Sequence, residues 1–274
     1  MKKAFIFFLL LFPASVVCSQ DAGQQVISVP VIFHVIYSGR THSRTDGGNT
    51  QENIETAKLL TELKEMQEDF LLLNADTAEV IAAYKGIIGN PRIRFYLADT
   101  LLQPDGEKGI IRVLSRRNKR NLSSQSRVID PRRYLNIYVG NIGSSFVNTN
   151  PWNDRETDAV YLGFDWIGQH YRLLTHETGH WCGLFHIYGG KGSGKGGGCK
   201  TDGDDIADTP VQKKPTDMDC IKCPPAVADQ HCDAGVPSNY NNFMDYSGCR
   251  KMFTAEQSRR MRENITVHRP GLLR

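Results

Sequence analysis

Three histidines and a glutamate sit at a spacing that can build a metal centre: His176-Glu177-Thr178-Gly179-His180-Trp181-Cys182-Gly183-Leu184-Phe185-His186. Residues four apart share one face of an α-helix, so His176 and His180 can aim both imidazoles at one ion. Glu177 lies one residue further round, poorly placed as a third ligand and well placed to hold a water beside the ion. Gly183 breaks the helix soon after His180, and the chain can then swing back to deliver His186. Three neutral imidazoles with a fourth position open are the catalytic form of a zinc site, whereas structural sites are closed by four protein ligands. The predicted chemistry is peptide hydrolysis by a zinc-activated water. Zinc brings the pKa of a water from about 15.7 towards 7 and polarises the carbonyl, with Glu177 as general base.

HExxH alone occurs by chance on ordinary helices; the five fixed positions of HExxHxxGxxH are a far narrower pattern. A catalytically silent binding module would show loss of Glu177 or of a histidine, and none is lost. A zinc hydrolase for another substrate class, or a site with a distal carboxylate ligand, is disfavoured because His186 is already at hand. The remaining histidines, His34, His42, His170, His231 and His268, sit in no ligand pattern and are read as packed or solvated residues.

The elements that must carry the site alternate between strand and helix periods. Val26 to Tyr37 is β-branched and aromatic and reads as a strand buried on both faces. Asn53 to Asn74 places Ile54, Leu59, Leu60, Leu63, Met66, Phe70 and Leu73 at helical spacing, an amphipathic helix. Arg92–Ala98, Gly109–Leu114, Tyr134–Val139 and Ala159–Leu162 read as strands, and Tyr171 to about Gly183 as the helix of the histidines. After Tyr188 come a Gly/Lys-rich stretch, an acidic loop and cysteine-laced coil. The last helix covers roughly Thr254 to Glu263, with Thr254 and Gln257 as a capping box. The expectation is one α+β domain over 20–274, with an N-terminal part to about 183 and an irregular C-terminal part from 184.

Lys2 and Lys3, the apolar run Ala4 to Phe12 and the small-residue site near Val17-Cys18-Ser19 have the order of a secretory signal peptide, expected over 1–19. Cys18 keeps a lipid-anchored alternative to secretion, although Val17 is unusual for a lipobox. The whole chain has 33 basic and 30 acidic residues. That near-balance gives no reason to expect nucleic acid or an anionic membrane as partner; proteins or peptides are the expected partners. The run Arg116, Arg117, Lys119 and Arg120 is read as a solvated loop. Six cysteines follow the leader, Cys182, Cys199, Cys220, Cys223, Cys232 and Cys249, and in an exported chain they favour disulfides over a zinc ribbon. Asn-x-Ser/Thr triplets occur at Asn121 and Asn264.

The extended histidine motif is that of the metzincins, which carry a methionine-containing turn beneath the metal. Asn242-Phe243-Met244-Asp245-Tyr246-Ser247, followed by a cysteine and Phe-Thr-x-x-Gln, resembles the pappalysin family. The opening strand and the Asp-Thr-Pro stretch to Pro210 are similar too. The resemblance implies a metzincin-type zincin: a twisted mixed sheet with two long helices above a disulfide-stapled C-terminal subdomain. It implies His176, His180 and His186 as zinc ligands, and Met244 as a hydrophobic floor. Tyr246 would direct its hydroxyl towards the metal. It also implies structural calcium in the acidic stretch holding Asp202, Asp204, Asp205 and Asp208, where the Lys191–Gly197 insertion is a departure from the family. The implied disulfides are Cys199–Cys232 and Cys223–Cys249. Cys182 stays open: it either bridges Cys220, which the family pattern does not require, or is a buried thiol. Related enzymes often have a latency segment; with only Gln20–Gln25 between the leader and Val26, none is expected here.

Overall fold

A computed structural model describes residues 25–42, 48–115, 121–147, 151–152, 156–189, 198–200, 203–216, 223–225 and 231–273. The predicted leader with Cys18, the basic run 116–120, the insertion 191–197, Asp202 and Cys220 lie outside the described residues.

The long apolar run becomes the central strand β1 (Ile27–Tyr37). Its first half pairs in parallel with β3 (Ile93–Leu97) and its second half with β4 (Ile110–Leu114) on the same side. On the other side stand β5 (Leu135–Gly140), β7 (Val160–Gly163) and the short edge strand β6 (Ser145–Val147). All pairings in this sheet are parallel except β6 on β7. A small antiparallel pair joins β2 (Ile88–Gly89) to β8 (Phe253–Thr254). A central strand covered on both faces has no reason to alternate polar and apolar residues, which is why β1 reads as an uninterrupted apolar run.

On one face Val29, Val31, Phe33 and Val35 pack against α1 (Thr56–Phe70) through Leu59, Leu63, Met66 and Phe70, and against α2 (Leu173–Trp181). On the other face Ile36 packs with Leu122, Tyr138, Ala159 and Tyr161. A stack of rings crosses that second face: His34 on Tyr138, Tyr138 on Tyr161, and Phe146 on Tyr161, with centroids 4.3, 5.0 and 4.7 Å apart. Burial lowers the pKa of His34 to about 4. Its neutral ring bonds Ser126 and Asn136, which is the packed role the sequence suggested.

The third helix, α3 (Ala255–His268), starts at Thr254 with both bonds of the capping box in place. The C-terminal coil holds disulfides Cys199–Cys232 and Cys223–Cys249. Cys182 forms none: it is a free, fully buried thiol among core residues, so the Cys182–Cys220 bridge is corrected to the alternative of a packed thiol. Burial pushes that thiol up to about 12. The helix of the histidines is also shorter than its sequence pattern suggests, nine residues against fifteen for α1.

Candidate active site

Helix α2 begins at a constrained residue. Its N-cap, Arg172, has φ 56°, a left-handed conformation that only surrounding contacts sustain in a non-glycine residue. Its guanidinium lies 3.4 Å from Glu65, 3.4 Å from Asp69 and 3.2 Å from Asp76. Thr175 donates to Asp69 at 2.6 Å, and the Gly168 N–H donates to Glu62 at 2.9 Å. The acidic face of α1 therefore grips the entry to α2.

The exit is held as firmly. Asp158 accepts from Trp181 Nε1 at 3.1 Å and from Arg269 Nη1 at 2.6 Å. The Arg269 guanidinium also lies 4.0 Å from the centre of the Trp181 ring. Asn264 of α3 donates to the Cys182 carbonyl at 3.0 Å, satisfying one of the carbonyls a helix end leaves open. The amide nitrogen of that Asn-x-Thr triplet is thus already engaged. Gly183 then turns the chain at φ 91°, where any Cβ would lie 2.2 Å from Asn264 Nδ2.

These constraints bring the three predicted ligands together. The Nε2 atoms of His176, His180 and His186 are 3.0 to 3.2 Å apart pairwise. They are not hydrogen bonds to one another. His176 Nδ1 donates to the Phe243 carbonyl at 2.7 Å and His180 Nδ1 to the Leu184 carbonyl at 2.8 Å. Those bonds fix both Nε2 atoms as bare lone pairs. Lone pairs converging at 3 Å repel unless a cation lies between them. A tetrahedral zinc with Zn–N near 2.05 Å would set its nitrogens about 3.3 Å apart, so the residues fit that ion. Burial first, then the neighbouring histidines, holds His176 well below the ordinary imidazole range. Burial lowers His180 to about 4, so the neutral ligand form prevails.

The turn at Asn242–Tyr246 supports this centre from below. Phe243 supplies the carbonyl that orients His176, and Asn242 Oδ1 accepts from the Met244 N–H at 2.9 Å. Met244 is fully buried against Gly179 of α2. The Tyr246 ring stands 5.0 Å from His186 and 5.5 Å from His176, centroid to centroid. Tyr188, which the sequence pattern did not single out, stacks on His186 at 4.7 Å. Glu177 is only 6% exposed, and burial pushes it up to about 7 against the opposing effects of Ser145 and Arg250. Ser145 Oγ donates to Glu177 Oε1 at 2.7 Å. No local motif marks Ser145: it lies 32 residues from its partner, in a strand of three residues.

The acidic loop is divided. Asp204 is buried, with Oδ1 accepting from Ile206 N and Thr209 Oγ1, and Oδ2 without a partner among the described residues. Burial pushes its pKa up to about 7. Asp208 is turned to α3, accepting from Thr254 Oγ1 and Glu256 N. Asp205 is exposed. Among the described residues the three histidines are the only cluster that could hold a metal; His34, His42, His170, His231 and His268 stand apart from it.

A largely parallel sheet with one antiparallel edge strand, a helix carrying two of three histidines and a methionine turn beneath them define a metzincin-type zincin. Residues 118–266, more than half of the chain, match the family described as Pregnancy-associated plasma protein-A (Peptidase_M43), and the chain belongs to that family. It is 40% identical over 102 residues to extracellular metalloprotease 1 of Coccidioides posadasii. It is 42% identical over 92 residues to an extracellular metalloprotease of Arthroderma benhamiae. These matches cover 36% and 33% of this chain and span only 32% and 28% of the two relatives. Mirolysin in complex with compound 9 is similar over 91% of this chain and 97% of its own, with TM-score 0.73 and 28% identity. A promirolysin mutant of Tannerella forsythia is similar over 92% and 85%, with TM-score 0.72 and 25% identity.

Proposed function

We propose that this chain is a secreted zinc-dependent metalloendopeptidase, with His176, His180 and His186 as zinc ligands and Glu177 as general base. The observation that carries the reading is the convergence of three Nε2 atoms at 3.0 to 3.2 Å beside a buried glutamate. Zinc, when bound there, supplies Lewis acidity, lowering the pKa of a water towards about 7 and polarising a peptide carbonyl. Glu177 takes the proton of the attacking water as its oxygen bonds to the carbonyl carbon, and gives it to the nitrogen as the C–N bond breaks. The Tyr246 hydroxyl stabilises the oxyanion that forms between these two steps. Met244 holds the floor beneath the ligands.

The substrate side is read from the sheet. β6 is the last strand of its sheet, and an edge strand leaves backbone N–H and C=O groups for an extended peptide to pair with. A solved mature mirolysin, similar at TM-score 0.69 and 26% identity, is in complex with a cleaved peptide. Export rests on the N-terminal pattern and on relatives named extracellular. Release is preferred to a lipid anchor at Cys18. The acidic loop would take a calcium ion, a reading supported by the buried Asp204 Oδ2, which has no partner among the described residues. Calcium would then raise the melting temperature of wild type and leave Asp204→Asn unmoved.

The test is digestion of casein or gelatin by the purified chain, with and without a zinc chelator, beside Glu177→Ala. Cleavage that stops with chelator, returns with zinc and is absent in the variant is expected. Equal digestion by wild type and Glu177→Ala would reject the role of Glu177.

A further inference from the structure

The Ser145 hydroxyl links two parts of the site that the proposal above treats separately. It donates to Glu177 Oε1 at 2.7 Å, and among the described residues it is the one group in hydrogen-bond contact with that carboxylate. Ser145 also opens β6, the free edge of the sheet, in register with Leu162 of β7. Alternation along the strand turns the neighbouring Phe146 to the opposite face, where it stacks on Tyr161 at 4.7 Å with the rings 6° from parallel. That ring is the end of the stack running back through Tyr138 to the buried His34. A strand of three residues with only one neighbour would otherwise be loosely placed; here its outward ring anchors it and its inward hydroxyl reaches the base.

We propose that Ser145 is a positioning residue for peptide hydrolysis: its hydroxyl holds Glu177 Oε1, fixes the carboxylate rotamer and leaves Oε2 turned to the reacting water. The inference rests on the peptidase reading of the preceding subsection. A glutamate carboxylate, carried on two staggered torsions and a third broad one, has several conformers, and only some present an oxygen to the water. A donor on the strand that would pair with the peptide sets the base and the substrate from one rigid element. Such an arrangement acts on the reaction step, while substrate affinity comes from backbone pairing along β6.

The experiment compares wild type, Ser145→Ala and Ser145→Thr on one fluorogenic peptide. It measures kcat and KM separately, together with the melting temperature and zinc retention against a competing chelator. We expect kcat of Ser145→Ala to fall about tenfold, with KM within about twofold of wild type. Melting temperature and zinc retention should be unchanged. Ser145→Thr keeps the donor in a β-tolerant side chain and should restore most of kcat. Wild-type kcat in Ser145→Ala would overturn the proposal and leave the peptidase reading standing. So would a loss that Thr fails to rescue, or one that tracks lost zinc or a lower melting temperature. A wild type with no peptidase activity, loaded with zinc, would overturn both.

Discussion

The sulfur of Met244 lies 2.5 Å from where the Cβ of any other residue at position 179 would stand, so Gly179 and Met244 pack helix against turn with no room between them. The turn thereby supports α2 between His176 and His180. Two effects oppose each other in Gly179→Ala. Helix propensity favours alanine by about 1 kcal/mol. Overpacking a buried contact costs about 1–3 kcal/mol, and both Met244 and Gly179 are enclosed. The contact should win: Gly179→Ala is expected to melt at a lower temperature and to bind zinc more weakly. A variant more stable than wild type would show that the turn yields, and that propensity decides.

The buried pair Arg269–Asp158 should behave as an anchor of the α2 exit. Both side chains are 1% exposed, and Asp158 also accepts from Trp181. Removing one partner leaves an uncompensated charge, which costs about 3–5 kcal/mol in buried pairs. Asp158→Ala should lower the unfolding free energy measured by urea titration by that amount. Asp158→Leu combined with Arg269→Met should recover part of it. A single variant as stable as wild type would mean that the pair is not buried in solution.

Much of this was legible beforehand for a physical reason. The histidine motif lies within eleven residues and one helical turn sets its geometry, so spacing alone predicts convergence. The strand β1 is recognisable because burial on both faces leaves an unbroken apolar run. What spacing cannot reach are contacts closed by the fold. Asp158 and Arg269 are 111 positions apart, and Ser145 meets Glu177 only because β6 folds back antiparallel on β7. A three-residue strand has no period to detect. Cys182 was undecided for a related reason: a thiol buried in a core and a disulfide half look alike until its neighbours are known.

Stability should also fall as pH rises towards neutrality because of Glu62. Burial pushes its pKa up to about 7, although the Gly168 N–H bond pulls it down. A carboxyl raised in the folded state favours folding while protonated. Its contribution is complete below about pH 4.5 and is lost as pH rises to about 7. Glu62→Gln keeps the neutral form at every pH. The melting temperature of wild type should therefore drop relative to Glu62→Gln between pH 5 and 8, by an amount worth up to about 3 kcal/mol. Parallel curves for the two proteins would contradict the assignment.

The most direct test is zinc stoichiometry measured beside casein cleavage in wild type, Glu177→Gln and His186→Ala. Wild type should hold one zinc per chain at the histidine site and cleave. Glu177→Gln should keep that zinc and lose cleavage, because it removes the base and leaves the ligands. His186→Ala should lose both. Full cleavage by Glu177→Gln, or full zinc retention by His186→Ala, would contradict the account.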